Sequence, residues 1–364
     1  MDRCILGTGD PRWIGLLERC PHEFYHLPGY VQLEAQRMGG RAAAMWIGDG
    51  ENQWLVPVVI RPLPELLGCE LPQNGWRDAV SPYGYPHPLC TSKAGEQEEF
   101  LNKALGLLAE WLSAEKILTL FVRCSPLLGL PPAYAVHGRV VEHGPCYWID
   151  LTETAEELNS QLRSRYRSYL NAMRREGVEA RWIPLESGLS AFVDLYYRTM
   201  DRVHAARWYY FEPCYFEGLN RLLGDNLRLC EVHLRGQTVA LGLFACSGGI
   251  VEYLFSGVDE RLAQPHATKL MMVFVRDWAK IAGLRLFHLG GGVGGKEDAL
   301  SQFKRGFTRH ASPFRSWRFV SDTGTYACLL KAWEQLADAA AEPIEGYFPA
   351  YRKPLPEKCP QDCP

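Results

Sequence analysis

No stretch of the 364 residues reaches the roughly 18 apolar positions in a row that a bilayer-spanning helix needs. No stable membrane insertion is therefore expected. The opening MDRCILGTGDPRW lacks a long apolar run and a small-residue cleavage site. It does not read as a signal peptide, and the expected location is the cytoplasm. An excess of charge is missing too. Thirty-nine Lys and Arg stand against 42 Asp and Glu, a net charge of −3, so any nucleic-acid surface must be a local patch. The twelve cysteines include no Cys-x-x-Cys pair. They read as buried reduced thiols, and no metal or other cofactor is expected.

What is present is ordinary globular composition, 47% hydrophobic and 22% charged, at a length that suggests two domains. Apolar spacing predicts helices near 11–19 and 28–37, strands at 41–48 and 54–63, a helix at 95–114 and a strand at 117–123. The long loop LPQNGWRDAVSPYGYPHPL separates the strand pair from the third helix. The second half repeats the order. Helices are expected near 154–176, 188–206 and 212–223, and strands at 227–234, 238–245 and from 250. A helix at 266–282 then leads to the strand RLFHLG. On that helix Leu270, Phe274, Trp278 and Ile281 are expected to face the core, and Lys269, Arg276 and Lys280 the other side. This predicts an α+β protein of two domains, 1–145 and 146–352. Thr152 or Thr154 would cap the first helix of the second, and a Pro-rich tail at 353–364 is expected to be disordered.

The run GGGVGG after RLFHL mimics two nucleotide motifs. Gly290, Gly292 and Gly295 fit G-x-G-x-x-G, but no acid stands about 20 residues on to hold a ribose. Gly290-x-x-x-x-Gly295-Lys296 resembles a P-loop, but Glu297 occupies the place of the magnesium-binding hydroxyl. Neither motif is complete.

The residues that follow are more informative. Phe303, Lys304, Arg305, Phe307 and Arg309 crowd together, and a second basic strip at 162–177 carries Arg163, Arg167 and Arg174 on one face. Two arginine-rich clusters in one domain of a nearly neutral chain suggest an extended polyanion, with the aromatics suited to unstacked bases. Tyr83, Tyr85 and His87 are candidate lining of an acceptor pocket. Arg207 and Tyr210, in RVHAARWYYF, are candidates for a cleft edge. His266 is expected to cap a helix, and His288 to be a buried structural residue.

The second half resembles the Fem-type (FemABX-like) aminoacyltransferases. The resemblance rests on LRSRYRSYLNAMRREGVEA, VALGLFA, YLFSGVD, PHATKLMMVFVRDWAKIAGLRLFHLGG and FKRGF. It implies tandem acetyltransferase-like (GNAT) domains, each a mixed sheet flanked by helices. It further implies transfer of an amino acid from aminoacyl-tRNA to an amine, on a peptidoglycan-precursor peptide or a natural product. Phe303 and Lys304 would lie at the tRNA acceptor end, with Lys304 beside the ester, and Tyr253 near the acceptor. Two features depart from the family: GGGVGG is longer than its usual loop, and no coiled-coil arm with heptads is present.

Aminolysis of an ester needs an amine nucleophile, proton removal and a counter-charge for the tetrahedral oxyanion. Lys304 is expected to neutralise that oxyanion or the departing ribose oxygen. Gly291 and Gly292 are expected to let the chain pass close to the substrate and to offer N–H groups. Arg163, Arg167, Arg174, Arg305 and Arg309 would hold tRNA, and Asp78 is the candidate general base. Two other readings stay open, an acyl-CoA-dependent N-acyltransferase and a non-catalytic precursor- or RNA-binding module. The CoA reading is disfavoured because DERLAQPHATKL lacks the glycines of a CoA loop.

Overall fold

A computed structural model describes residues 1–64, 75–262, 264 and 266–356. Residues 65–74, the last four of which open the long loop, Pro265 and positions 357–364 of the expected tail lie outside the described residues. The chain folds into two compact units. One comprises Met1–Cys20, Tyr25–Glu142 and the chain from Arg315 onward, and the other Pro21–Phe24 and His143–Phe314.

The first unit begins with β1 (Asp2–Leu6), α1 (Pro11–Leu17), α2 (Pro28–Met38), β2 (Arg41–Asp49) and β3 (Asn52–Pro62). It continues through β4 (Arg77–Val80), β5 (Leu89–Cys90), α3 (Gln97–Gly106), α4 (Leu108–Ala114), β6 (Ile117–Cys124) and α5 (Ala133–Val136). Strand β7 (Arg139–Asp150) carries the chain into the second unit. There follow α6 (Ala155–Gln161), α7 (Ser164–Glu176), β8 (Val178–Ile183), α8 (Leu185–Arg202), α9 (Pro213–Leu223), β9 (Leu227–Leu234), β10 (Gln237–Ser247) and β11 (Ile250–Val258). The unit ends with α10 (Ala267–Ile281), β12 (Leu286–Gly291) and α11 (Ala299–Lys304). Strand β13 (Ala311–Val320) returns the chain to the first unit, where α12 (Thr323–Ala337) follows.

Both sheets follow one plan. In the first unit the strand order is β1-β2-β3-β4-β6-β13, with β5 paired to β3. All pairs are antiparallel except β4 with β6, which the helices α3 and α4 separate in sequence. In the second unit the order is β8-β9-β10-β11-β12-β7. Here the parallel pair is β11 with β12, and α10 makes the crossover. A parallel pair needs such a crossover, because its strand ends lie at opposite edges. Each unit thus has a mixed sheet flanked by helices, the tandem α+β arrangement expected.

The domain limits of 1–145 and 146–352 set the main junction later than these units, which part after Glu142, and two further segments cross over. Pro21–Phe24 counts with the second unit, and the chain from Arg315 counts with the first. The second crossing follows from pairing. β13 from Arg315 to Val320 runs antiparallel to β6, from Cys124 to Thr119, and Leu329 and Trp333 of α12 pack with Leu118.

Local chemistry explains other boundaries. Thr154 caps α6 in a reciprocal capping box with Glu157, and Gly177 closes α7 at φ 78°. The helix expected over 154–176 is divided at Leu162 and Arg163, whose backbone turns extended. That expected over 95–114 is divided at Leu107, beside Gly106. On α10 the expected faces need correction. Ile281 is exposed, whereas Arg276 is buried, with its guanidinium on the Leu158 carbonyl, Asn159 and Asp277. Among the described residues no helix is long and apolar enough to cross a membrane.

Candidate active site at the fork of the second sheet

The central feature of the second unit is the place where its parallel strands part. β11 and β12 pair as Ile250↔Leu286, Val251↔Phe287 and Glu252↔His288, and the pairing stops there. β11 bulges at once. Its register with β10 jumps from Tyr253↔Phe244 to Phe255↔Leu243, skipping Leu254. β12 is displaced in the same way against β7, between His288 and Gly290. Tyr253 and Gly291 thus stand beyond the last pair, on separate prongs.

Lys304, the last residue of α11, reaches this fork. Its side chain is buried, its Nζ donates to the Gly291 carbonyl at 2.7 Å, and it lies 5.9 Å from the centre of the Tyr253 ring. Burial lowers its pKa to about 8, partly offset by the nearby Cys146 thiol and Asp298. Tyr253 is half-buried, its hydroxyl is 2.5 Å from that of Ser256, and burial raises its pKa. Asp298 fixes the approach to α11 by accepting from the backbone N–H of both Val293 and Ser301 at 2.9 Å. Lys304 is therefore packed within the fold, with its ammonium beside the fork.

Gly291 and Gly292 stand close to neighbouring backbone. A Cβ on Gly291 would stand 2.8 Å from the Pro145 carbonyl, and one on Gly292 would strike the Lys296 carbonyl. The close approach they permit is to the protein's own backbone. The Gly291 carbonyl is spent on Lys304.

Phe303 is half-buried, its ring 5.1 Å from that of Phe307 in an edge contact, and its carbonyl accepts from the Tyr166 hydroxyl at 3.0 Å. Next to it lies a cationic group that spacing did not single out as a site. The Nζ of Lys269 is 5.1, 5.7 and 5.6 Å from the ring centres of Tyr166, Tyr169 and Phe303. Burial lowers its pKa. His266 makes no side-chain cap to α10. It stacks on Tyr169 at 3.5 Å between centres and holds Nδ1 3.2 Å from Lys269 Nζ.

All five candidate RNA-binding arginines are exposed. Arg163 bonds Gln302 at 3.1 Å and its N–H donates to the Gly306 carbonyl, so it joins the start of α7 to the end of α11, where Arg305 follows. Arg309 donates its backbone N–H to Gln161. Arg167 turns its guanidinium to the carbonyls of Asn159, Ser160 and Leu162. Arg174 stands at the far end of α7, about 16 Å along the axis from Arg163. The expected strip is thus divided, with Arg163 and Arg305 beside the aromatic cluster.

Other candidates lie elsewhere. Arg207 is exposed in a short 3-10 turn, and Tyr210 donates to Asp201 at 2.8 Å. In the first unit Tyr83 receives a bond from Tyr30 on its carbonyl and gives its N–H to Glu34, Tyr85 packs edge-on to Tyr25, and His87 is buried. Asp78 needs correction as a base. It is fully buried on β4, with one carboxylate oxygen on Arg61 at 3.0 Å and the other on Arg352. Both carboxylate oxygens are thus taken up by guanidinium groups within the first unit.

Sequence spacing also missed a buried polar cluster in the second unit. Glu23, Glu252 and His288 are at most 2% exposed, and each offers a ligand atom within 4.8 Å of the others. Burial pushes Glu252 up to about 8, against the pull of His288. Burial opposes charging of His288, but Glu252 and its other partners outweigh it and hold the imidazole above its usual range. The available signal was one charged or titratable residue, Glu252 or His288, within each of two apolar runs, IVEYLF and LFHLG.

Six mixed strands, one parallel pair joined by a helix, and a bulged fork beside a buried lysine define the class, a GNAT-fold protein. Residues 160–305 match the model of the acetyltransferase (GNAT) domain, which makes the coarse activity that of an acyltransferase. Within the class the chain has the Fem-type fold. The crystal structure of FemX superposes with a TM-score of 0.66 at 15% identity, covering 86% of this chain and 97% of that one. L-PGS from Bacillus licheniformis is similar at a TM-score of 0.52 and 12% identity, over 90% of this chain and 97% of that one. A C-terminal domain described as that of a lysylphosphatidylglycerol synthetase, from Agrobacterium fabrum, gives 0.53 at 14% identity, over 88% and 92%. No curated protein matches the sequence.

Proposed function

We propose that the second unit transfers an aminoacyl group from the 3′ end of a charged tRNA to an amine. The amine lone pair attacks the ester carbonyl carbon, the carbon–oxygen bond to the ribose breaks, and the nitrogen loses one proton as the ribose oxygen gains one. The position of Lys304 carries this reading. A buried ammonium with a pKa near 8 stabilises a developing oxyanion strongly and gives up its proton readily to a departing alkoxide. Two further features support a polynucleotide donor. Arg163 and Arg305 offer exposed charge beside Lys304, and the half-buried Phe303 and Tyr169 offer rings for an unstacked base. The likeness to FemX and to a protein whose name states lysylphosphatidylglycerol synthesis agrees with aminoacyl transfer. The acceptor is taken to be a peptide or small-molecule amine.

An acyl-CoA donor is the second reading, favoured by the match to the acetyltransferase domain. One experiment separates the two. The chain is incubated with charged total tRNA and candidate amines, with and without ribonuclease, and in parallel with acetyl-CoA. Amide product that disappears with ribonuclease supports the proposal. Product made from acetyl-CoA and indifferent to ribonuclease overturns it.

A further inference from the structure

We propose that Glu23, Glu252 and His288 bind one divalent transition-metal ion of the zinc class, which pins the base of the fork between β11 and β12. The three donors come from three separate segments. Glu23 arrives on Pro21–Phe24, Glu252 on β11 and His288 on β12. Glu252 and His288 are the last partners in register before the strands part. One imidazole nitrogen, Nδ1, faces both carboxylates, 2.9 Å from an oxygen of Glu252 and 3.7 Å from one of Glu23. The convergence is tight, with all three ligand atoms within 4.8 Å of one another.

Charge and donor type point the same way. Two carboxyl groups and one imidazole share a dry pocket, where Glu23, Glu252 and His288 are 0%, 2% and 1% exposed. Two carboxylates and a neutral imidazole balance one divalent ion, and buried charges persist when paired or metal-bound. Imidazole beside carboxylate suits zinc, manganese or iron, whereas calcium and magnesium favour oxygen alone. The Cys146 side chain stands beside the imidazole, where an outer partner holds a metal-bound histidine in place. The supporting backbone is also built for this approach, since a Cβ on Gly248 would strike the His22 carbonyl. With the donors wholly buried, the ion enters as the chain folds, and its role is structural. Tyr253 follows Glu252, and Gly291 lies three residues past His288, so the pin fixes both prongs that Lys304 touches. This site does not depend on the identity of the acyl donor.

The test is metal content. The full chain is expressed in medium supplemented with zinc, manganese and iron, purified without chelators or metal-affinity resin, and analysed by plasma mass spectrometry. About one equivalent of a single transition metal is expected per chain, falling to below about 0.2 in Glu23→Gln and His288→Gln but not in the surface control Glu176→Gln. Warming with dipicolinate should lower the Tm of the wild type and leave that of His288→Gln unmoved. Folded wild-type protein with under about a tenth of an equivalent of any transition metal overturns the proposal, and the cluster is then neutralised by protons alone. If the variants fail to fold, the wild-type stoichiometry decides.

Discussion

The Nζ of Lys304 donates to the carbonyl oxygen of Gly291 at 2.7 Å, from a side chain that is 7% exposed. This bond holds a cation where solvent cannot stabilise it. The cost shows in the pKa, which drops from 10.5 to about 8. A shift of that size corresponds to about 3 kcal/mol, and loss of the donor to Gly291 returns about 1–2 kcal/mol. Lys304→Met should therefore raise stability by about 1–2 kcal/mol at pH 7 while lowering acyl transfer about 100-fold. Urea denaturation and single-turnover rates measure the two effects. A variant that loses stability and keeps its rate would make Lys304 a packing residue.

The same shift fixes the sign of two pH dependences. Lys304 is charged below about 8 and neutral above it. If its charge stabilises the oxyanion, transfer should fall about tenfold per pH unit above that point. Stability moves the other way. Between about 8 and 10.5 the unfolded chain holds a proton that the folded chain has released, so this residue's contribution to stability rises with pH there. The difference in unfolding free energy between wild type and Lys304→Met should shrink across that window. A rate that instead climbs through pH 8 would assign Lys304 as the base.

Several of these relations were legible in the sequence and others were not. Phe303 and Lys304 stand in FKRGF, and the apolar spacing from Tyr166 to Met173 marks the buried face of α7, which Leu170 shares in the fold. Local pattern also separated α10 from β12. It could not report that Glu252 sits opposite His288, because strand register depends on residues far apart in the chain, nor that Glu23 joins them. Ile281 was placed in the core because periodicity assigns one face, whereas α10 is apolar around much of its girth and buries Arg276 by satisfying its guanidinium. Asp78 was picked from a loop of Pro and Gly, and its two arginine partners come from 17 and 274 residues away.

The turn after the fork makes a stability prediction. A Cβ on Gly144 would run into the carbonyl of Gly295, a backbone atom with no flexible end to give way. Gly144→Ala should cost about 2–4 kcal/mol, because the strand β7 or the glycine run must shift. Gly9→Ala is the control, since a Cβ there meets nothing within 4 Å. Equal melting temperatures for the two variants would mean that the run 290–295 adapts freely.

The donor itself is tested through Arg163 and Arg305. Both are exposed, at the meeting of α7 and α11, and neither supports the core. Replacing both by Ala should leave the Tm within about 1–2 °C, a change of a few tenths of a kcal/mol at most. If they contact phosphates of a tRNA acceptor stem, affinity for charged tRNA should drop. The slope of log affinity against log salt should then become shallower by about 1.4–1.8, two counterions' worth. Filter binding across a salt series gives that slope directly. An acyl-CoA donor would leave tRNA binding weak and nonspecific in wild type and variant alike, so an unchanged slope removes the polynucleotide from the mechanism even if amide formation persists.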